Sequence, residues 1–89
     1  MPITIVLPPM LQAIAGDIDR YETSGETIGV CLQNLAGRYP RVGQKLFMGG
    51  KLVNGLNIFL NGQNVSKNVL GQPVRDGDVI HVSFIVLGG

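Results

Sequence analysis

The sequence has few charged residues, one cysteine and no long apolar run, and each shortage excludes a class of protein. Charged residues make up 15% of the 89 residues, hydrophobic residues make up 45%, and the formal net charge is +1. This composition argues against intrinsic disorder and indicates one compact soluble domain, residues 1–89. No apolar segment approaches the length of a membrane span, and Pro8-Pro9 interrupts the N-terminal stretch. We therefore expect a cytoplasmic protein with no membrane partner.

The same shortages leave the chain without an evident catalytic or nucleic-acid-binding apparatus. The basic residues are scattered along the sequence, so the Lys/Arg stripe of a nucleic-acid-binding protein is missing. Cys31 lies on the apolar side of a predicted helix, which favours a buried structural thiol over a catalytic or persulfide role. His81 stands alone on a predicted strand, so we expect neither a general base nor a metal site. No phosphate-binding loop occurs, and we expect no bound cofactor.

In the first half of the chain, alternating apolar residues over 3–7 predict a strand whose odd-numbered side chains face a core. The prolines at 8–9 end that strand, and the apolar segment 10–16 is left unassigned. A second strand is predicted at about residues 18–22.

A single amphipathic helix is predicted next, over residues 28–39. Thr27 can cap its N-terminus, and Pro40 ends it because proline disfavours helical geometry in the preceding residue. We expect a strand near residues 44–48 and a turn at Gly49-Gly50 to follow.

The second half carries clearer strand signals. Residues 56–60 alternate, and Asn61-Gly62 supplies the left-handed turn of a hairpin. The turn Asp76-Gly77-Asp78 leads into a last strand at 79–85, in which Ile80 and Val82 point inward. The order of these elements predicts an α+β fold with one main helix on one face of a mixed sheet.

The sequence ends on Gly88-Gly89, directly after the last predicted strand. Glycine has no side chain, so such an end can enter a channel in another protein that is too narrow for other residues. We predict a flexible tail at about residues 86–89, with the Gly89 carboxylate as the reactive group and Gly88 as the residue that permits access.

Five groups of residues follow one another in a characteristic order and spacing across nearly the whole chain. They are Pro8, Leu11 and Gly16; Leu35 with Tyr39-Pro40; Asn57-Ile58-Phe59-Leu60-Asn61-Gly62; Asp76-Gly77-Asp78; and Gly88-Gly89. Together they resemble the ubiquitin-like β-grasp sulfur carriers, most of all the small subunit of molybdopterin synthase and the related carriers of cysteine and thiamine biosynthesis. The resemblance implies a β-grasp sheet of four to five strands in which the first and last strands pair in parallel at the centre.

The resemblance also implies a chemistry. A ubiquitin-activating-type partner enzyme would use ATP to adenylate Gly89, and a sulfur donor would convert the acyl-adenylate to a thiocarboxylate. That product would deliver sulfur to a synthase or large subunit in molybdopterin, thiamine or cysteine biosynthesis. The chain would then be a co-substrate or a synthase subunit with no catalytic machinery of its own.

Two other functions stay open. A ubiquitin-like modifier would join Gly89 to lysines of target proteins by isopeptide bonds. A plain interaction module would lose no function when Gly88 and Gly89 are deleted.

Two sets of residues are predicted to contact the partner. The first set lies on the sheet face opposite the helix and comprises Val6, Phe59, His81 and Ser83, although these residues would otherwise be incidental surface. The second set is the apolar run Phe84, Ile85, Val86 and Leu87, where similar carriers have a proline and small residues. We expect this run to enter a partner groove or to lie against its own sheet. The other interpretation is a longer last strand.

Overall fold

The computed structural model describes residues 2–85, and within them the chain forms three α-helices, one 3-10 turn and seven strands. The elements are β1 (Ile3–Val6), α1 (Pro9–Ile14), β2 (Arg20–Thr23), α2 (Ile28–Arg38), α3 (Pro40–Leu46), β3 (Phe47–Met48), β4 (Lys51–Leu52), β5 (Leu56–Leu60), β6 (Gln63–Val65), the 3-10 turn (Val69–Gly71) and β7 (Val79–Phe84). Five strands form one sheet in the order β2-β1-β7-β5-β6, and β3 pairs with β4 alone. The predicted α+β, β-grasp architecture is confirmed. None of the helices in this part of the chain has the length and apolarity to cross a membrane.

The first and last strands of the described chain lie side by side at the centre of the sheet. β1 and β7 are parallel, and their register pairs Ile5 with Ile80 and Val6 with His81. Both isoleucines are fully buried. The predicted central parallel pair is therefore confirmed, and so is the inward position of Ile80.

Helix α2 covers one face of the sheet. The Thr27 hydroxyl oxygen accepts a hydrogen bond from the Val30 amide at 3.2 Å, which is the predicted N-cap. Four side chains on one side of the helix are buried in the same core as the inward residues of β1 and β7: Ile28, Cys31, Leu32 and Leu35. The buried residues of α1 and α3 belong to this same core, so within residues 2–85 the helices pack on one face of the sheet and leave the other uncovered.

The prediction of a strand over residues 44–48 is wrong for residues 44–46, which belong to helix α3. Pro40 ends α2 as expected, but it also occupies the first turn of α3, where its fixed φ suits a helix and its missing N–H costs nothing. Val42 and Leu46 are buried one turn apart on the same side of α3. Gly43 allows α3 to lie against α2, because a Cβ at this position would come within 2.7 Å of the Ala36 Cβ.

Two segments near the N-terminus differ in detail from the prediction. The unassigned apolar segment forms α1, whose Leu11 is buried. The second strand runs from Arg20 to Thr23 rather than over 18–22. Gly16 and Asp17 have φ of 76° and 66°, so the turn after α1 includes both residues and β2 begins later than predicted.

A hydrogen-bond network joins the β5–β6 turn to the start of β7. Asn61 and Gly62 form the predicted left-handed turn, with φ of 51° and 85°. The Asn61 side chain donates Nδ2–H to Asp78 Oδ1 at 3.0 Å and accepts the Val79 amide on Oδ1 at 2.9 Å. Asp78 Oδ2 accepts the Arg75 amide at 2.9 Å. The bond from Asn61, and then the one from Arg75, lower the pKa of Asp78 because both favour the charged carboxylate.

We expect Asp78→Asn to destabilise the fold at neutral pH and to remove part of its acid sensitivity. The pKa of Asp78 is lower in the folded than in the unfolded chain, so its stabilising contribution is complete above the ordinary value of 3.8. The contribution is lost as the pH falls through the folded-state pKa. Urea unfolding of wild type and variant at a series of pH values measures the difference. The difference in the free energy of unfolding between wild type and Asp78→Asn should shrink toward low pH. Asp17→Asn is the matched control. A difference that stays constant with pH would contradict the stabilising role of the Asp78 hydrogen bonds.

Candidate functional site

The described end of β7 shows where the chain leaves the sheet. Phe84 is half-buried and packs against the core, which agrees with the interpretation of this residue as part of a longer last strand. Ile85 is 48% exposed, and its amide donates a hydrogen bond to the Gly55 carbonyl at 2.6 Å. The predicted tail residues Val86, Leu87, Gly88 and Gly89 lie outside the described residues.

Gly55 is a residue that the sequence analysis did not single out. Its φ of 86° lies in the left-handed region, and this conformation directs its carbonyl toward the Ile85 amide. The pair continues the β5–β7 ladder one step beyond its last register pair, Leu56 with Phe84. The only sequence signal for this turn is the dipeptide Asn54-Gly55, a common turn former.

Three of the four predicted face residues form one row across the sheet. The register pairs His81 with Val6 on one side and with Phe59 on the other. Val6 and Phe59 are half-buried and His81 is exposed. Because Ile5, Ile58 and Ile80 are buried on the helix side, alternation puts this row on the uncovered face. We call the row Val6, His81 and Phe59 the open-face row.

The open-face row is bordered by polar residues. Arg20 on β2 is paired with Val6, and Asn64 on β6 is paired with Phe59, so polar side chains flank both ends. The fourth predicted residue, Ser83, is half-buried and is paired with Asn57, two positions along β7 from His81. An apolar centre with an aromatic side chain and a polar border is the composition of a protein–protein interface core.

Within residues 2–85, the side chains of the open face do not combine into a reactive group. His81 lies between Val6 and Phe59, neither of which can exchange a proton with it or share a metal ion. No three His, Cys, Asp or Glu side chains gather closely enough in this part of the chain to hold a metal ion.

Cys31 is fully buried on the inner side of α2, as the sequence predicts for a structural thiol. Burial raises the pKa of Cys31, because the thiolate is poorly solvated in an apolar core. Burial limits access to the sulfur, and the raised pKa lowers the fraction of reactive thiolate.

Comparison with known proteins places the chain in a family. The sequence pattern of the ThiS family matches residues 6–89. The chain belongs to the ThiS family. This family of ubiquitin-like sulfur carriers is the one that the five groups of residues resemble, and its match includes Gly88-Gly89 and every strand after β1.

Individual family relatives agree with this membership. The chain is 28% identical to the sulfur carrier protein CysO of Mycobacterium tuberculosis over 93 aligned positions, which cover the whole of both chains. A chain in the Amycolatopsis orientalis BexX/CysO complex superposes with a TM-score of 0.88 at 25% identity, covering 98% of this chain and 99% of that one. The small archaeal modifier protein 1 (SAMP1) of Methanosarcina acetivorans superposes with a TM-score of 0.87 at 27% identity, covering 98% and 95%.

We expect the Cys31 thiol to resist iodoacetamide in the native protein and to react fully in urea, because burial keeps it protonated and out of reach. Mass spectrometry after timed labelling measures the modified fraction. The matched control is Val30→Cys in a Cys31→Ala background, since Val30 is the exposed neighbour on the same helix. Native labelling of Cys31 as fast as labelling of that control would contradict its structural role.

Proposed function

We propose that the chain is a sulfur carrier whose Gly89 carboxylate is adenylated by a partner enzyme and converted to a thiocarboxylate. The observation that carries the proposal is the ThiS-family match, which runs through the β-grasp sheet to Gly89. The CysO relatives, which are themselves named sulfur carriers, support it over the full length of the chain.

The proposed chemistry needs activation because a free carboxylate is a poor electrophile. The Gly89 carboxylate attacks the α-phosphorus of ATP and releases pyrophosphate, so the acyl carbon acquires AMP as a leaving group. Sulfide from a donor then attacks that carbon, AMP departs, and a thiocarboxylate remains. The partner supplies the nucleotide site, and the carrier supplies a narrow end that can enter it.

The open-face row is the proposed docking surface for this partner, with Ser83 beside it. Phe59 is the aromatic anchor and Val6 adds apolar area, while Arg20 and Asn64 form the polar border. Ile85 directly follows β7, the central strand that carries His81. A partner on the open face is therefore beside the point at which the chain leaves the sheet, and residues 84–87 would complete its contact.

We also propose the type of pathway that accepts the sulfur. Among the molybdopterin, thiamine and cysteine types, the full-length match to CysO carriers favours the cysteine type. In this role the chain is a co-substrate of a sulfur-transferring enzyme.

A protein-modifier function is the second candidate, because SAMP1 proteins are similar to this chain at 27% identity. Both functions share the acyl-adenylate and differ in the nucleophile that follows. A lysine amine gives an isopeptide, and sulfide gives a thiocarboxylate.

We expect a fraction of the protein isolated from its own cells to carry sulfur in place of one oxygen of the Gly89 carboxylate. Oxidation of any of the three methionines adds nearly the same mass as this exchange. The sulfur must therefore be located on Gly89 by fragmentation of the C-terminal peptide, with a chain lacking Gly89 as control. Covalent adducts of Gly89 with other proteins would instead support the modifier. Neither product, in cells that depend on the pathway, would contradict both functions.

The same measurement tests the access role of Gly88. Gly88→Val should lower the thiocarboxylate fraction without changing the circular dichroism spectrum, because a branched side chain obstructs entry into a narrow site. An unchanged fraction would contradict that role.

We expect Phe59→Ala to raise the KM for the carrier about tenfold in ATP–pyrophosphate exchange by the partner enzyme, which corresponds to about 1.4 kcal/mol of lost binding. The kcat should change little, because the group that reacts is at Gly89. The stability cost should be about 1 kcal/mol or less, since Phe59 is outside the core. Val30→Ala, on the helix side, is the control. Equal KM values for the two variants would contradict docking through the open face.

A further inference from the structure

Acidic and basic residues are segregated along the chain. All six Asp and Glu residues fall within residues 17–26 and 76–78, so residues 27–75 contain neither. That long segment holds six of the seven basic residues: Arg38, Arg41, Lys45, Lys51, Lys67 and Arg75. The net charge of +1 is therefore the sum of a basic segment, residues 27–75, and two acidic segments on either side of it.

Helix α3 presents two of these cations on one side. Arg41 and Lys45 are four residues apart, so they are neighbours on the helix surface, and both are exposed. The buried residues Val42 and Leu46 hold the opposite side of α3 against the core. The two cations are thus fixed outward by the packing of α3.

The β3–β4 hairpin follows α3 directly in the chain and carries a third cation and an exposed apolar side chain. Lys51 is exposed and is paired across the hairpin with Met48. Met48 is 76% exposed, the highest value among the large hydrophobic side chains of residues 2–85. We call Arg41, Lys45, Met48 and Lys51 the basic ridge.

The cations of the basic ridge have no internal counter-charge in the described chain. Between residues 2 and 85, the ion pair formed is that of Arg20 with Asp19, at 3.9 Å and well away from the ridge in sequence. An uncompensated set of cations around an exposed Met produces a positive local potential and leaves apolar area to be covered.

The basic ridge adjoins the place where the chain leaves the sheet. The Val53 amide donates to the Leu46 carbonyl at 2.9 Å, so the segment after the hairpin is held against the end of α3. Two residues later, Gly55 accepts the Ile85 amide. Lys51 is four residues from Gly55, so at most about 14 Å of extended chain separates it from the residue that holds Ile85.

We propose that the basic ridge docks on an acidic surface of the adenylating partner, beside the entrance of the site that receives Gly89. This inference rests on the proposed function. The three cations steer the carrier into an encounter that orients its C-terminal end, and Met48 is the apolar contact within the charged border. Three cations without an exposed aromatic platform are too few for a nucleic-acid site, which uses about six to ten phosphate contacts or base stacking.

The test is charge reversal of the ridge. In ATP–pyrophosphate exchange with the ubiquitin-activating-type enzyme of the same genome, a chain carrying Arg41→Glu, Lys45→Glu and Lys51→Glu should lose at least about tenfold in kcat/KM at low ionic strength. The loss should fall to within about threefold near 0.5 M salt, because screening acts on exposed charges. Lys67→Glu, on the loop after β6, is the matched single reversal and should stay within about twofold. Each single ridge reversal is compared with it directly, and thermal unfolding confirms that all variants are folded.

The outcomes separate the two proposals. If wild type supports exchange and reversal of the ridge has no greater effect than Lys67→Glu, the ridge proposal is overturned and the carrier function stands. A loss that is independent of salt also overturns it. If wild type supports no exchange at all, the carrier function fails and the ridge proposal fails with it. Normal exchange by the reversed chain, together with lost retention of a single-stranded oligonucleotide, would overturn the ridge proposal in favour of nucleic-acid binding.

Discussion

The parallel pairing of β1 with β7 is the interaction on which the rest of this structure depends. It joins the two ends of the described chain at the centre of the sheet and fixes the register of Ile5 with Ile80. A shift of one residue would exchange the two faces of β7, so the core and the open face are specified together. The same pairing places His81 beside Val6 and sets the end of β7 at the sheet boundary. The register of β1 with β7 therefore determines both which residues form the core and which residues form the open face.

The proposed contact surface has two parts of different physical character. The open-face row offers apolar area, and burial of this area against a partner would stabilise the complex. The basic ridge offers unpaired charge, which acts at longer range and mainly raises the rate of productive encounter. Residues 53–55 and the Ile85 amide connect the ridge to the last strand. A partner that uses both parts would be oriented before its nucleotide site receives the chain end.

Local sequence signals predict much of the fold and less of the site. The turn at Asn61-Gly62 and the inward position of Ile80 can be predicted because turn-forming residues and apolar alternation are local properties of the sequence. Pro40 ends α2 as predicted, but the same proline also begins α3, and the sequence pattern over residues 44–46 does not distinguish a helix from a strand without the burial of Val42 and Leu46. The Gly55–Ile85 hydrogen bond joins residues 30 positions apart, and the ridge depends on which sides of α3 and of the β3–β4 hairpin are exposed. Both require the tertiary fold, which no local pattern contains.

The short edge strands of the sheet have a consequence for solubility. An exposed apolar face beside free strand edges invites pairing with further chains, which leads to aggregation. Here β2 has four residues, with Arg20 and Glu22 exposed, and β6 has three, with Gln63 and Asn64 exposed. Such edges give an incoming strand little backbone to extend and no apolar side chain to bury on the outer face. The molecule can therefore leave the open face uncovered while resisting edge-to-edge growth.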